Sequence, residues 1–143
     1  MVLAFGVVLL VAGAAFAVSK VCPDNCSGTA GDDRLVGSPR ANTIYAADGN
    51  DRVLGRGGED ALKGEDGRDE VFGQKGNHRV KGSVGMDRVY GGPGDDLVRG
   101  GTPERPEDGA RDVLDCGDGT MDTGYFVQEQ DTVRNCEITN PPQ

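Results

Sequence analysis

The 143-residue sequence is poor in the residues that build an ordinary globular core. It has no Trp, and aromatic residues make up only 5% of the chain. Its apolar residues do not recur at the three- and four-residue spacing that an amphipathic helix requires. These absences argue against a helical fold and against a core packed with large side chains.

The residues that carry catalysis are also scarce. The chain has a single His, and no Ser or Cys has a plausible base beside it in the sequence. Its glycine-rich turns lack the GK[ST] of a phosphate-binding loop. A net charge of −9 makes nucleic acid and anionic membrane surfaces poor partners. The sequence therefore predicts that the protein is not an enzyme.

Glycine is abundant instead, and it follows a nine-residue period. From Gly28 to Arg99 the chain divides into eight consecutive nonapeptides without an insertion. Position 1 is Gly in seven of the eight units, position 4 is Gly in seven, and position 6 is Asp in six. Position 8 is apolar in every unit, in the order Leu35, Ile44, Val53, Leu62, Val71, Val80, Val89 and Val98.

This period predicts an all-β solenoid. Glycines at positions 1 and 4 suit a turn in which backbones approach closely, and positions 7 to 9 suit a three-residue strand with one inward side chain. A single unit cannot bury its apolar residue alone, so the units must stack on one another.

The repeat resembles GGxGxDxUx, where U is apolar, the nonapeptide of the RTX or haemolysin-type calcium-binding proteins. The resemblance covers residues 28–99 and implies a parallel β-roll with two nonapeptides per coil. It also implies Ca²⁺ between stacked turns, held by position-6 carboxylates and turn carbonyls. The long RTX toxins and proteases lack an N-terminal export signal, whereas residues 1–17 of this chain resemble one. This chain is therefore more similar to the small secreted bacterial type.

Two repeats per coil divide the position-6 residues into two columns. The odd-numbered units contribute Asp33, Asp51, Asp69 and Asp87, and the even-numbered units contribute Asn42, Asp60, His78 and Asp96. Because Ca²⁺ prefers oxygen ligands, we expect complete sites in the odd column and weak or empty sites in the even one. The predicted ligands are Asp33, Asp51, Asp69, Asp87, Asp60 and Asp96. The alternative is a metal-free solenoid in which Asp only favours the turns.

The ends of the chain predict export and closure of the roll. Residues 1–17 carry no charge and end in Ala15-Phe16-Ala17, which is typical of a cleaved signal peptide, and a retained membrane anchor is the alternative. We expect an N-terminal cap at 18–27, the eight-repeat roll at 28–99, and degenerate repeats with a C-terminal cap at 100–143. The expected location is extracellular.

Four cysteines flank the repeat region in two pairs. In a secreted chain they favour disulfides, which we expect to join Cys22 to Cys26 and Cys116 to Cys136. A four-cysteine zinc site is disfavoured because about four coils, or roughly 19 Å, would separate the pairs.

One further surface is suggested by position 9 of the odd units, which holds Val36, Leu54, Phe72 and Tyr90. Such an apolar row is either cross-strand packing or a contact surface for a second copy, a glycan or a protein. The chain therefore has two candidate functions. It is a secreted protein that binds Ca²⁺ and folds or stiffens with it, or an extracellular structural or adhesive module.

Overall fold

The computed structural model describes residues 17–101, 110–126 and 131–139. Except for Ala17, the predicted signal segment lies outside these residues. The alternative prediction, a retained membrane anchor, concerns the same segment and also lies outside them. Within the described ranges no helix has the length and apolar character needed to cross a membrane.

The described residues form a parallel β-solenoid of about six turns with two seven-stranded sheets. One sheet, the odd sheet, contains in spatial order β1 (Ser19–Val21), β3 (Arg34–Val36), β5 (Arg52–Gly57), β7 (Glu70–Lys75), β9 (Arg88–Pro93), β11 (Val113–Asp118) and β13 (Thr132–Arg134). The other, the even sheet, contains β2 (Asn25–Ser27), β4 (Thr43–Asp48), β6 (Ala61–Asp66), β8 (Arg79–Val84), β10 (Leu97–Arg99), β12 (Thr123–Tyr125) and β14 (Ile138–Thr139). The predicted all-β roll is confirmed.

The predicted register of two nonapeptides per coil is also confirmed. Val53 pairs with Val71 and Val71 with Val89, so equivalent residues 18 positions apart lie side by side. The strands are longer than the sequence predicts, because most interior strands span six residues rather than three. In β5 and β7 the pairing continues through position 1 to Arg56 and Gln74, so the position-1 glycine does not end the strand.

The core lies between the two sheets and is built from position 8. All eight predicted position-8 side chains are buried, and Cys26 and Leu114 extend the same column at its two ends. Position 1 also faces inward, with Ala46 and Cys116 fully buried. The apolar residues that recur every nine positions therefore form a narrow apolar column along the solenoid axis.

Disulfides close both ends of this column. Cys22 is joined to Cys26 with a Cα–Cα distance of 5.6 Å, and Cys116 to Cys136 with 5.2 Å. Both predicted pairings are confirmed. All four residues belong to the apolar core or pack against it, so the bridges also cover the last apolar side chains from solvent.

Position 2 of the repeat has an unusual backbone. The family pattern has Gly here, but this chain has Ala47, Arg56, Glu65, Gln74 and Ser83. All five have φ between 75° and 106°, a region that residues with a Cβ avoid. Each of these positions therefore holds local strain, worth about 1–3 kcal/mol in typical cases.

We predict that Arg56→Gly stabilises the folded protein. Glycine relieves the strain at φ 82°. This gain in free energy exceeds the cost of the extra conformational entropy that glycine gives the unfolded chain, so the free energy of unfolding should rise by about 1 kcal/mol. Urea unfolding at fixed calcium concentration measures the change.

Two control variants separate this effect from simple removal of an arginine. Arg56→Ala removes the same charge but keeps the Cβ, so it should not stabilise. Arg68→Gly places glycine at an exposed turn residue without positive φ, so it should destabilise. A loss of stability in Arg56→Gly would show that position 2 is unstrained.

Candidate metal centre

The position-6 side chains form a hydrogen-bonded ladder along each column. In the odd column the backbone N–H of Asp33 donates to Asp51 Oδ1 at 2.7 Å, and that of Asp51 donates to Asp69 Oδ1 at 2.8 Å. The N–H of Asp69 then donates to Asp87 Oδ1 at 2.9 Å. One carboxylate oxygen thus joins each coil to the preceding coil.

The second carboxylate oxygen is buried without a matching donor. Among the described residues Oδ2 has no hydrogen-bond partner in Asp51, Asp60, Asp69, Asp96 and Asp122. These side chains belong to residues that are at most 3% exposed. A buried acceptor without a donor costs about 1–3 kcal/mol, and more when it is charged.

The second oxygens of Asp60, Asp69 and Asp96 each lie beside the position-1 glycine of their own turn, next to a carbonyl of the next coil. A Cβ built on Gly55 would lie 2.5 Å from Asp60 Oδ2 and 2.7 Å from the Gly73 carbonyl oxygen. A Cβ on Gly64 would likewise contact Asp69 Oδ2 and the Gly82 carbonyl. Carboxylate and carbonyl oxygens from two coils therefore converge beside these glycines.

This environment raises the pKa values of the carboxyl groups. Burial, with a smaller contribution from neighbouring acids, raises the pKa of Asp69 to about 7 and that of Asp51 to about 6. Burial likewise raises the pKa of Asp96 to about 7 and raises the pKa of Asp60. At neutral pH the columns therefore favour a bound proton or a bound cation.

The donor set fits a hard divalent cation. Ca²⁺ takes six to eight oxygen ligands, including carboxylates and backbone carbonyls. No three His, Cys, Asp or Glu side chains in the described part of the chain converge closely enough to hold a metal by themselves. Carbonyl oxygens and water must complete any site here, which suits Ca²⁺ better than a metal that needs several nitrogen or sulfur ligands.

Asn42 is satisfied by its surroundings. Its Oδ1 accepts the backbone N–H of Ser38 at 2.7 Å, and its Nδ2 donates to the Asp24 carbonyl at 2.7 Å. A neutral amide with partners on both atoms has little need of a cation.

In the odd column Asp33 is also partnered, because its Oδ2 accepts the N–H of Thr29 at 2.5 Å.

His78 replaces a carboxylate in the ladder. Its Nδ1 accepts the backbone N–H of Asp60 at 3.2 Å, as an Oδ1 does elsewhere. A Cβ built on Gly76 would lie 3.2 Å from the imidazole Cε1, so the ring fills the turn. Burial lowers the pKa of His78, which favours the neutral ring. A neutral ring here lends no negative charge to a cation.

The columns continue beyond the eight predicted units. Asp112, which the sequence suggests as a position-6 residue, accepts the N–H of Asp87 at 2.9 Å although the two are 25 residues apart. Asp122 accepts the N–H of Asp96 at 2.6 Å, and Glu137 accepts that of Asp122 at 2.8 Å. Asp122 and Glu137 are missing from the predicted ligands because insertions break the nine-residue period there.

A surface groove lies along each column at the turns. A groove of about 480 Å³ is lined in part by Asp51, Asp69 and Asp87, and one of about 650 Å³ by Asp60, His78 and other even-column residues. The structure thus places the six predicted ligands in two separate columns, each beside a surface groove.

Comparison with known families agrees with this geometry. The family profile described as RTX calcium-binding nonapeptide repeat (4 copies) matches residues 27–62, 48–77 and 79–102, which is just over half of the chain. The chain belongs to this family. The RTX family is a structural calcium-binding family. No curated protein and no solved structure matches the chain with significance.

The outer face of the odd sheet in this RTX roll is occupied by its own cross-strand contacts. The Phe72 and Tyr90 rings stack with centres 4.8 Å apart. Glu70 bridges Arg52 at 3.1 Å and Arg88 at 3.2 Å. These contacts support the cross-strand packing interpretation of the position-9 row. Val36 is the buried member of that row, in register between Val21 and Leu54.

We predict that the calcium-free protein loses stability as pH rises from about 4 to about 7. The folded state binds more protons than the unfolded state in this window, because burial raises the pKa values of Asp51, Asp69 and Asp96 to about 6–7 from an ordinary value near 4. Thermal unfolding of metal-stripped protein across this range measures the slope.

Asp69→Asn provides the control. The amide oxygen can still accept the N–H of Asp51 but the side chain no longer titrates, so the slope should flatten and the calcium-free protein should gain stability at pH 7. An unchanged slope would show that Asp69 does not carry the dependence.

Proposed function

We propose that the protein is a secreted calcium-binding β-roll whose folding or stiffening is coupled to Ca²⁺. The single observation that supports this most strongly is the buried, unpartnered Oδ2 that recurs in successive turns beside a carbonyl of the next coil. The proposed ligands are the odd-column residues Asp33, Asp51, Asp69 and Asp87, with weaker contributions from Asp60 and Asp96.

The reason for coupling is electrostatic. Neighbouring coils lie about 4.8 Å apart, and two carboxylates at that distance repel by roughly 3.5 kcal/mol at an effective dielectric near 20. A divalent cation converts that repulsion into attraction, and anything that binds only the folded state stabilises it. The narrow apolar column contributes little stabilising free energy, so it offsets little of the repulsion between the ionised acids.

Extracellular placement is consistent with the proposed chemistry. The uncharged segment 1–17 has the composition of an export signal, and the Cys22–Cys26 and Cys116–Cys136 disulfides favour an oxidising compartment. We also propose that the protein has no catalytic role, because its one His is buried in the ladder.

We predict that the mature chain gains strand structure when Ca²⁺ is added. At pH 7.5 the metal-stripped protein should show a weak β signal in circular dichroism, and titration with Ca²⁺ should restore it cooperatively, because the cation neutralises ionised columns. Mg²⁺ at the same concentration is the control and should be less effective, because it demands octahedral geometry and keeps its waters. A complete β-roll spectrum in chelator would contradict coupled folding.

We predict that the two columns differ in calcium affinity. Asp69→Asn and Asp60→Asn each keep an oxygen for the ladder, so they form a matched pair that differs in the column affected. Asp69→Asn should weaken calcium binding by about tenfold, since it removes a charge from two sites that otherwise hold carboxylates. Asp60→Asn should cost much less, because its column neighbours are Asn42 and His78. Calorimetric titration measures both.

His78→Asp provides the converse variant. The new carboxylate would lie between Asp60 and Asp96, so it should add calcium binding in the even column and destabilise the calcium-free protein at neutral pH. Equal losses in the matched pair, together with no gain in His78→Asp, would refute the asymmetry of the columns.

A further inference from the structure

The even column contains a pair of carboxylates in adjacent coils near its C-terminal end. The backbone N–H of Asp96 donates to Asp122 Oδ1 at 2.6 Å, so the two side chains are consecutive members of the ladder. Earlier in the same column Asp60 lies between two neutral residues, Asn42 and His78. The defect that the sequence predicts for every pair of this column is therefore absent from the pair formed by Asp96 and Asp122.

The turn that carries Asp122 departs from the regular repeat. Three residues separate β9 from β10, whereas four separate β11 from β12, so the second turn is one residue longer. The match to the family profile ends at residue 102, which leaves this turn outside it. The stacking of Asp122 on Asp96 is thus a property of the folded chain that the nine-residue pattern does not predict.

The Asp122 carboxylate lies beside a carbonyl of the preceding coil. A Cβ built on Gly119 would lie 2.5 Å from Asp122 Oδ2 and would also contact the carbonyl oxygen of Gly94, which belongs to the turn of Asp96. Asp122 is fully buried, and its Oδ2 has no hydrogen-bond partner among the described residues. This oxygen therefore lies against the neighbouring coil without a donor.

The Asp96 carboxylate lies beside a carbonyl of the following coil. A Cβ built on Gly91 would lie 2.5 Å from Asp96 Oδ2 and would also contact the carbonyl oxygen of Cys116, which lies in the same coil as Asp122. Asp96 is 2% exposed, and its Oδ2 also lacks a partner in the described part of the chain. Each carboxylate of the pair thus lies beside a carbonyl of the other's coil.

The charge of this pair is not neutralised by the protein. Within the described ranges neither Asp96 nor Asp122 forms an ion pair with a basic side chain. Burial raises the pKa of Asp122, and the neighbouring Glu137 and Asp95 raise it further. Two buried carboxylates in adjacent coils are stabilised by a divalent cation, which offsets their repulsion and gives both second oxygens a partner.

We propose that Asp96 and Asp122 form a Ca²⁺ site that fastens the C-terminal coils, β11 to β14, to the last regular coil of the roll. This inference rests on the proposed calcium binding of the roll, and it adds a complete site to the column that the sequence predicts to be weak or empty. The two carboxylates supply the charge, and carbonyl and water oxygens complete the shell, as Ca²⁺ accepts. Glu137 supports the site from the next coil by accepting the N–H of Asp122 at 2.8 Å.

Calorimetric calcium titration of matched variants tests the site. Asp122→Asn and Asp60→Asn change the same column, and each keeps an oxygen for its ladder contact. Asp122→Asn should bind one Ca²⁺ ion fewer than the natural protein, whereas Asp60→Asn should bind the same number. Asp96→Asn should lose the same ion as Asp122→Asn, and the double variant should lose no second ion, because both side chains hold one cation.

Hydrogen exchange separates the C-terminal coils from the rest of the roll. Ca²⁺ should slow amide exchange from Gly119 to Tyr125 in the natural protein but not in Asp122→Asn, whereas β5 and β7 should be protected in both. Circular dichroism in Ca²⁺ checks folding, and Asp96→Asn gives the same test if Asp122→Asn does not fold.

The outcomes distinguish this site from the proposed function. If Asp122→Asn keeps the full number of ions and the full protection of residues 119–125, the site is refuted while calcium binding by the odd column stands. If the natural protein binds no Ca²⁺ at all, both the site and the proposed function are refuted.

Discussion

The structure depends on one contact repeated along two columns, in which a position-6 side chain accepts the backbone N–H of position 6 in the preceding coil. In the odd column this contact holds Asp33, Asp51, Asp69 and Asp87 in line within hydrogen-bond distance. It uses one oxygen of each carboxylate, and in Asp60, Asp69 and Asp96 it buries the other beside a carbonyl of the next coil. Packing of the coils and the proposed binding of a neutralising cation therefore have the same cause.

Because the same atoms serve both roles, the identity of the position-6 residue matters coil by coil. His78 keeps the ladder contact but brings no negative charge. Asn42 is also neutral, and it joins the ladder only as a donor, through its N–H to Asp60. Both residues therefore preserve the stack while lowering the charge of their column. A solenoid of nearly identical units can thus combine turns that hold a buried carboxylate with turns that do not. The even column alternates between the two kinds from Asn42 to Asp96, and Asp122 then follows Asp96.

Much of this arrangement could be predicted from the sequence, because stacked repeats convert period directly into position. The nine-residue spacing predicts a stacked β-solenoid with a buried position-8 column. The resemblance to the RTX repeat implies the parallel roll, the register of 18 residues and the separation of Asp60 from Asp69 into different columns. The disulfides followed from the separation of the two cysteine pairs. The position of a residue in such a fold is determined mainly by its number within the repeat.

Other features depend on the positions of individual atoms, which the nine-residue period does not predict. The pairing of Arg56 with Gln74 beyond position 1 and the different roles of Oδ1 and Oδ2 require coordinates. Asp122 and Glu137 were missed because insertions shift them out of phase, although their ladder contacts match those of the regular units.

The polarity of the ladder has a consequence for how such a roll assembles. Each N–H at position 6 is satisfied by a side chain that comes later in the chain, as Asp33 is by Asp51 and Asp51 by Asp69. While the chain emerges amino end first, the position-6 N–H of its last coil therefore still lacks an acceptor, because the next coil has not yet formed. Completion moves toward the carboxyl end, and in the even column the last such contact among the described residues reaches Glu137, directly after the cysteine of the C-terminal bridge. The last disulfide thus lies where a growing stack would otherwise remain ready to accept another coil.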